Sequence, residues 1–197
     1  SFKNMTNDMW DIVIDVHLRG TYLTVNAAYH QMIEQGHGGS IVVTSSTSGL
    51  LGNFGQSNYG AAKLGVVGFM NTLKLEGQKD NIHINALAPV AWTRMTENLM
   101  PAEMEDMLTP ERVTPAVVFM SSEAAPTGKI ICAGAGAYTS AAIVETKGMY
   151  LGENPTAEDV AANWDTISTV NDDAKALFQG GEQTGRMFEL IQAASKA

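Results

Sequence analysis

One segment in the first third of the chain constrains the fold most strongly, because it joins a buried strand to a helix through a serine- and glycine-rich stretch. Residues 41–44 (Ile-Val-Val-Thr) form a short apolar run, which predicts a buried strand. A helix is predicted to begin near Ser57, and it contains Tyr59 and Lys63. Because these two residues lie four positions apart, they share one face of that helix.

Ser46, Tyr59 and Lys63 are residue types that acid–base chemistry on an alcohol or a ketone requires. A free tyrosine side chain titrates at about pH 10 and is a poor acid or base at neutral pH. An ammonium group within a few ångströms favours the phenolate, so Lys63 is expected to make Tyr59 usable for proton transfer. Ser46, at the end of the predicted strand, can hydrogen-bond the same substrate oxygen. A bound cofactor would have to exchange hydride with the substrate carbon.

This whole segment, with its helix opening Ser-Asn-Tyr-Gly-Ala-Ala-Lys, resembles the short-chain dehydrogenase/reductase family, whose serine, tyrosine and lysine have this spacing. The Tyr-x-x-x-Lys pair alone is weak evidence, since unrelated surface pairs share its spacing. Residues 85–89 (Asn-Ala-Leu-Ala-Pro) resemble the strand before the family's nicotinamide-contacting turn, and residues 127–134 resemble the last strand of its sheet. The resemblance implies an enzyme in which Ser46, Tyr59 and Lys63 are catalytic.

The resemblance also implies a site for NAD, with NADP as the alternative. Tyr59 and Lys63 would contact the nicotinamide half of the cofactor, Lys63 through the ribose hydroxyls. The other implied contacts come from the turn after residues 85–89, namely Pro89, Val90, Ala91, Trp92 and Thr93. Val90 stands where the family usually has glycine. No metal ligand is expected.

Within the family, three short stretches, residues 17–20, 52–56 and 94–96, resemble the (3R)-hydroxyacyl-CoA dehydrogenase unit of peroxisomal multifunctional enzyme type 2 and its bacterial relatives. This implies a small-molecule substrate, a (3R)-3-hydroxyacyl-CoA, that is oxidised to the 3-ketoacyl-CoA. A ketoreductase or a hydroxysteroid dehydrogenase remains an alternative. So does a truncated, non-catalytic fragment that serves only in dimerisation.

His17 occupies a position where the family commonly has an asparagine that positions a water for proton relay from the lysine. An imidazole can both donate and accept, so His17 is a candidate for the same relay. Histidines on an apolar helix face are more often structural, and both interpretations stay open. The hydroxyacyl-CoA subgroup also has a histidine here.

The predicted fold is α/β, with a doubly wound, Rossmann-like parallel sheet that is incomplete and lacks its N-terminal strands. No Thr-Gly-x-x-x-Gly-x-Gly phosphate loop occurs in the sequence, and residues 134–136 (Gly-Ala-Gly) are interpreted as the turn leaving the final strand. We therefore expect residues 1–150 to be the C-terminal two-thirds of a dehydrogenase domain within a longer natural polypeptide. Residues 151–197 are expected to form a helical extension.

Other elements follow from apolar periodicity and helix-boundary signals. A long helix is predicted from Asp8, as N-cap, to the glycines at 36–39, with an apolar stripe of Trp10, Val13, Ile14, His17, Leu18, Thr21, Val25, Ala28 and Met32. Further helices are predicted at about 57–78, 110–122 and 156–164, with Gly180-Gly181 breaking a later one. Strands are predicted at 82–87, parallel to the first, and at 129–133. In the resembled family the two long helices form a subunit interface, which implies a homodimer or homotetramer.

Composition narrows the choice of partners. The chain has 21 acidic and 12 basic residues, a net charge of −9, which argues against binding to nucleic-acid phosphates. No apolar run is long enough to cross a membrane. The one cysteine, Cys132, cannot form an intramolecular disulfide, which fits a cytoplasmic location, with the peroxisome as the alternative. The methionines at 95, 100, 104 and 107 either fill gaps in the core or form an adaptable lid over an acyl chain, and the family resemblance favours the lid.

Overall fold

The computed structural model of the protein describes residues 1–97 and 101–195. Contacts within the chain define two compact units, residues 1–141 and the residues from 142 onward. The first unit contains a four-stranded sheet, and the second contains a two-stranded sheet with helices. The predicted α/β class is confirmed. The domain division predicted at residue 150 stays a prediction.

The helices of the first unit are α1 (Asn7–Ile14), α2 (Gly20–Gln35), α3 (Thr47–Leu51), α4 (Ser57–Glu76) and α5 (Thr114–Met120), and its strands are β1 (Gly39–Thr44), β2 (Ile82–Pro89), β3 (Ile130–Gly134) and β4 (Ala137–Ala141). Short 3₁₀ turns occupy Phe2–Asn4, Gly77–Asp80, Ala102–Met104 and Pro110–Arg112. The second unit contains β5 (Val144–Glu145), α6 (Ala157–Ala162), α7 (Trp164–Ser168), β6 (Lys175–Ala176) and α8 (Gly180–Ala194).

The first three strands are parallel, so their carboxyl ends meet at one edge of the sheet. The strand order is β1-β2-β3-β4, and the register pairs Thr44 with Leu87 and Pro89 with Ala133. The predicted parallel pairing of the first two strands is confirmed. Strand β2 runs to Pro89, two residues past the predicted end at 87. This edge is where parallel α/β sheets place their ligands.

Strand β4 was not predicted, and the expectation of three strands in this sheet is wrong. It pairs antiparallel with β3 through a two-residue turn in which Ala135 and Gly136 have φ of 53° and 79°. Two positive φ values in a two-residue loop are typical of a type I′ hairpin. The prediction that residues 134–136 form a turn is confirmed. The segment Ala137–Ala141 lacks an apolar run, so periodicity gives no strand signal there.

Alternate residues of β1 enter two separate core layers. Ile41 and Val43 pack with Val66 and Met70 of α4, while Val42 packs in the layer of α5. Because successive side chains of a strand point to opposite faces, helices cover both faces of this sheet. This is the doubly wound arrangement that the sequence predicted.

The long N-terminal helix begins after Thr6, whose hydroxyl accepts a hydrogen bond from the Met9 amide at 3.2 Å. The predicted N-cap, Asp8, is therefore wrong; this carboxylate lies in the first turn, where it suits the helix dipole. The helix ends at Gly36, with φ of 73°, as predicted. Between α1 and α2, residues Asp15–Arg19 form a π-helical turn that periodicity did not predict.

Three other boundaries differ from prediction. The helix expected at 57–78 ends at Glu76, and the one expected at 110–122 is a 3₁₀ turn followed by Thr114–Met120. Residues 180 and 181 begin α8 rather than breaking a helix. Both glycines lie in the first turn, where the backbone amides have no intrahelical partner in any helix. The capping signal at Thr156 is confirmed, since its hydroxyl and the Asp159 carboxylate form a reciprocal capping box.

Met70 tests the packing of α4 against the sheet. Its side chain is 0% exposed, so Met70→Ala should lower the free energy of unfolding by about 2–5 kcal/mol through lost contacts and a residual cavity. Met107→Ala is the control, because Met107 is 52% exposed and should cost about 0.5 kcal/mol or less. Urea denaturation followed by circular dichroism measures both. Equal losses in the two variants would contradict this core assignment.

Candidate active site

The candidate site lies at the carboxyl edge of the parallel strands. Where β1 ends, the Ser45 amide still donates to the Leu87 carbonyl at 2.7 Å, so the chain leaves the sheet beside β2. Ser46 is the second residue after β1, and residues 90–93 follow β2 directly. The predicted catalytic serine and the predicted nicotinamide turn therefore leave the sheet at the same edge.

Ser46 is the N-cap of α3. Its backbone is extended, with φ of −161°, and its hydroxyl oxygen accepts a hydrogen bond from the Ser48 amide at 3.2 Å. That bond uses an acceptor site of the hydroxyl, and no described residue takes its proton. The half-buried Ser46 hydroxyl can therefore donate to a substrate oxygen.

Tyr59 and Lys63 lie on one face of α4, as their spacing predicted. The Lys63 Nζ is 5.6 Å from the centre of the Tyr59 ring and donates to the Thr44 carbonyl at 2.8 Å. Lys63 is 7% exposed, and this burial lowers the pKa of its ammonium. Tyr59 is half-buried, and its amide bonds the Asn58 side chain at 2.8 Å. A cation is thus held against the aromatic ring in a largely dehydrated place.

His17, on the π turn, also contacts Tyr59. Its ring contacts the Tyr59 ring edge-on, with centroids 5.0 Å apart and planes at 88°. The His17 carbonyl accepts a hydrogen bond from the Thr21 hydroxyl at 2.7 Å. Partial burial, and then the charge of Lys63, lower the pKa of His17 from its usual 6.5. The imidazole is therefore mostly neutral at pH 7, able both to donate and to accept.

Two glycines allow the helix after Ser46 to approach the helix with Tyr59 closely. A Cβ on Gly49 would lie 2.8 Å from the Lys63 Cβ and the Leu64 amide nitrogen, and one on Gly60 would lie 3.1 Å from the Ser48 carbonyl oxygen. No larger residue fits at Gly49 without moving α3 away from α4. This contact fixes the end of β1 against the turn of α4 that contains Lys63.

The predicted nicotinamide turn is held by backbone hydrogen bonds. The Val90 amide donates to the Ala133 carbonyl at 2.8 Å, the Trp92 amide to the Leu108 carbonyl at 2.6 Å, and the Thr93 amide to the Thr96 hydroxyl at 2.8 Å. Val90, which stands where the family usually has glycine, fits because its neighbour on β3 is Gly134. A Cβ on Gly134 would lie 2.8 Å from the Val90 carbonyl oxygen. Pro89, Ala91 and Trp92 are half-buried, and Thr93 is exposed.

The structure thus brings His17, Tyr59 and Lys63 into one cluster, with Ser46 and residues 89–93 at the same edge. Sequence reasoning missed three contributors: the π turn, the Thr44 carbonyl and the Ser45 side chain. Ser45 had a usable signal. It continues the alternation of Ile41 and Val43, so a period of two already places its side chain toward α4.

Two other features bear on the predictions. Met95, Met104 and Met107 are exposed, at 83%, 38% and 52%, while Met100 lies outside the described residues. Within residues 1–97 and 101–195, no group of three or more histidine, cysteine or acidic side chains is placed to hold a metal ion. No helix in that same part of the chain has the length and apolar character of a membrane span.

Comparison with known proteins finds relatives that are described as dehydrogenases. A family model described as short chain dehydrogenase matches residues 1–107. A short-chain type dehydrogenase/reductase of Mycobacterium tuberculosis is 46% identical over 172 residues, 87% of this chain and 60% of that protein. The (3R)-3-hydroxyacyl-CoA dehydrogenase of Mus musculus is 37% identical over 131 residues, 61% of this chain and 50% of that protein.

A solved structure gives the same result. Full-length peroxisomal multifunctional enzyme type 2 from Drosophila melanogaster matches with a TM-score of 0.87 at 32% identity, covering 98% of this chain and 36% of that chain. The chain therefore spans at most 60% of the length of these three proteins. The family resemblance inferred from the sequence, including its relation to the multifunctional enzymes and to bacterial members, is confirmed.

The pKa of His17 offers a direct test of this geometry. NMR titration of the histidine rings, with His17→Gln to assign the signal, should give a value below 6.5. Lys63→Met should raise the pKa of His17 part of the way toward 6.5, because the positive charge is removed while His17 stays partly buried. Because the pKa of His17 is lower in the folded protein than in the unfolded chain, folding favours the neutral imidazole. The contribution of His17 to the free energy of unfolding is therefore fully present above about pH 6.5 and is lost as the pH falls through the folded pKa. A His17 pKa that does not change in Lys63→Met would contradict the placement of Lys63 beside it.

Proposed function

This chain belongs to the short chain dehydrogenase family, and from that premise we propose that its protein is an oxidoreductase that interconverts a secondary alcohol and a ketone with a nicotinamide cofactor. The observation that supports the proposal most strongly is the cluster of three side chains at the sheet edge. The Tyr59 ring lies 5.6 Å from the Lys63 ammonium and 5.0 Å from the His17 ring. A phenol with a cation and an imidazole beside it is suited to proton transfer.

Each residue takes a separate task in the proposed reaction. Tyr59 accepts the hydroxyl proton of the alcohol while the substrate carbon loses hydride. Lys63 stabilises the negative charge that develops on the phenol oxygen, and its burial strengthens that interaction. The Ser46 hydroxyl donates to the substrate oxygen and holds it as the carbonyl forms. NAD, when bound, supplies the hydride acceptor.

His17 is proposed as the next proton carrier. Its neutral ring lies against the Tyr59 ring, and its lowered pKa keeps one nitrogen free of a proton at pH 7. It can therefore accept a proton from the tyrosine side and release it toward solvent.

The residues present fit the nicotinamide end of the cofactor. The Lys63 ammonium has three donors and gives one to the Thr44 carbonyl, which leaves donors for the ribose hydroxyls. In the turn of Pro89, Val90, Ala91, Trp92 and Thr93, three amides are engaged within the protein. Among the described residues the Ala91 amide has no such acceptor and faces no competing bond for a carboxamide oxygen. NAD is the proposed cofactor, with NADP as the alternative.

The proposed substrate is a (3R)-3-hydroxyacyl-CoA. The sequence resemblance to that subgroup supports it, as does a relative named as a (3R)-3-hydroxyacyl-CoA dehydrogenase. The exposed side chains of Met95, Met104 and Met107 suit an adaptable cover for an acyl chain, since methionine packs against varied shapes. A cytoplasmic location is proposed, with the peroxisome as the alternative.

We also propose a homodimer or homotetramer built on the long helices. Large apolar side chains of α1, the π turn, α2 and α4 are exposed: Ile12 at 63%, Val16 at 62%, Leu23 at 54% and Leu64 at 49%. The first three lie along the continuous N-terminal helical segment and Leu64 lies on α4, and the two segments are in contact where Leu18 packs on Gly65. Extended apolar surface of this kind commonly marks a protein interface.

Turnover of the natural gene product tests the reaction. Tyr59→Phe should lower kcat for NAD reduction with (3R)-3-hydroxybutyryl-CoA by about 10²–10⁴-fold, because the proton acceptor is lost. Tyr22→Phe is the control, since Tyr22 lies on α2 against Phe69 and should keep full activity. Absorbance at the NADH wavelength measures both. A Tyr59→Phe variant with most of its turnover would remove the proposed role of the phenol.

The same assay separates the alternatives. Oxidation of the (3R) thioester but not of its (3S) isomer or of steroid alcohols supports the proposed substrate. A preference for steroid alcohols, or for other ketones in the reverse direction, identifies another substrate class. No turnover with any substrate, together with no NADH fluorescence change on mixing, supports a non-catalytic dimerisation fragment.

Leu23 tests the proposed oligomer. Leu23→Glu should convert the protein to a monomer, because a carboxylate cannot be buried without a partner. Val118→Glu on α5 is the control, since Val118 is 64% exposed and lies outside the proposed interface. Light scattering on a sizing column measures the molar mass. A monomeric wild type, or an unchanged mass in Leu23→Glu, would reject the interface.

A further inference from the structure

We propose that Ser45, the residue before the candidate catalytic serine, is a positioning residue that fixes Lys63 beneath Tyr59. Its catalytic consequence rests on the function proposed above. The hydrogen bond that it makes to Lys63 does not depend on that function, so the two can be tested separately.

Ser45 is fixed in place by two hydrogen bonds. Its amide donates to the Leu87 carbonyl at 2.7 Å, which anchors its backbone to the sheet. Its hydroxyl donates to the backbone carbonyl of Lys63 at 2.8 Å, across eighteen residues of sequence. The side chain is 1% exposed, so water cannot replace that bond. Ser45 thus connects the end of β1 rigidly to one turn of α4.

Lys63 is held at both of its ends by consecutive residues. Ser45 binds its backbone carbonyl, and the Thr44 carbonyl accepts from its Nζ at 2.8 Å. A lysine side chain has four rotatable bonds, and fixing them costs conformational entropy. With the backbone and the ammonium tied to neighbouring residues, one strand end determines where the charge lies relative to the Tyr59 ring.

Gly49 also restrains the backbone of Lys63. A Cβ at this position would lie 2.8 Å from the Lys63 carbonyl carbon and from its Cβ, so α3 touches the backbone of α4 there. Close-packed backbones transmit small displacements. The Ser45 bond and this backbone contact together therefore set the position of Lys63.

The two adjacent serines have different tasks because a strand alternates its side chains. Ser45 points with Ile41 and Val43 toward α4, and Ser46 emerges at the edge as the N-cap of α3. Loss of the Ser45 hydroxyl leaves the chemistry at Ser46 intact. Without that hydroxyl, the Lys63 carbonyl loses its hydrogen bond to the end of β1, and this turn of α4 can shift. We expect the Lys63 Nζ then to lose its hydrogen bond to the Thr44 carbonyl and to become hydrated.

The first test measures Lys63 itself and needs no turnover. Trace acylation of the folded protein at a series of pH values, read by mass spectrometry of the Lys63 peptide, gives the pKa of this one ammonium. In Ser45→Ala the value should rise toward that of an ordinary lysine, because burial lowers it in the wild type. Ser45→Cys, which keeps the side-chain size with a much weaker donor, should shift it in the same direction.

Ser40→Ala is the matched control. Ser40 lies in the same strand, and its hydroxyl likewise donates to a distant backbone carbonyl, that of Ser122 at 3.3 Å. Loss of the Ser40 hydroxyl should leave the pKa of Lys63 unchanged. Far-ultraviolet circular dichroism verifies that each variant is folded. An unchanged Lys63 titration in Ser45→Ala or Ser45→Cys, or an equal shift in Ser40→Ala, would overturn the proposal.

The second test concerns catalysis in the natural gene product. Ser45→Ala should lower kcat about tenfold, with KM changed by less than about twofold, since one neutral hydrogen bond to a positioning site is lost and no substrate contact is removed. The pH profile of kcat should move with the Lys63 titration. If the wild type shows no turnover while Ser45→Ala still raises the pKa of Lys63, the proposed function is rejected and the positioning role of Ser45 is kept.

Discussion

A lysine ammonium buried at the end of a parallel strand is the interaction on which the rest of this site depends. Burying a charge is costly unless it is hydrogen-bonded, and Lys63 meets that requirement through the Thr44 carbonyl. The exposed fraction of Lys63 is 7%, so little water screens its field. Tyr59 and His17 both lie close to this cation; burial lowers the pKa of His17, and the charge of Lys63 lowers it further.

The fold supplies each part of this arrangement from a different element. Parallel pairing of β1 with β2 brings two strand ends to one edge, and α4 returns across the sheet with Tyr59 and Lys63 on one face. The π turn between α1 and α2 places His17 against the tyrosine ring. Such π turns occur often at functional sites, because the extra residue reorients side chains and backbone groups.

Much of the site was predictable because its signals are local. The apolar run of β1, the serine after it and the four-residue spacing on α4 are all short-range patterns, and they identified Ser46, Tyr59 and Lys63. The hairpin of β3 and β4, the π turn and the contact from Ser45 to Lys63 were not predicted. Strand β4 has no apolar run, the π turn is a local helix irregularity without a residue signature, and the contact from Ser45 to Lys63 joins residues eighteen positions apart. The catalytic roles themselves stay proposals.

The measurement that tests the account most directly is the turnover of Lys63→Met beside Lys79→Met, an exposed lysine just beyond α4. With NAD and (3R)-3-hydroxybutyryl-CoA, the account predicts a fall in kcat of about a hundredfold or more for Lys63→Met and none for Lys79→Met, with both variants folded. Retention of wild-type turnover in folded Lys63→Met would contradict the claim that this buried cation drives the proton transfer.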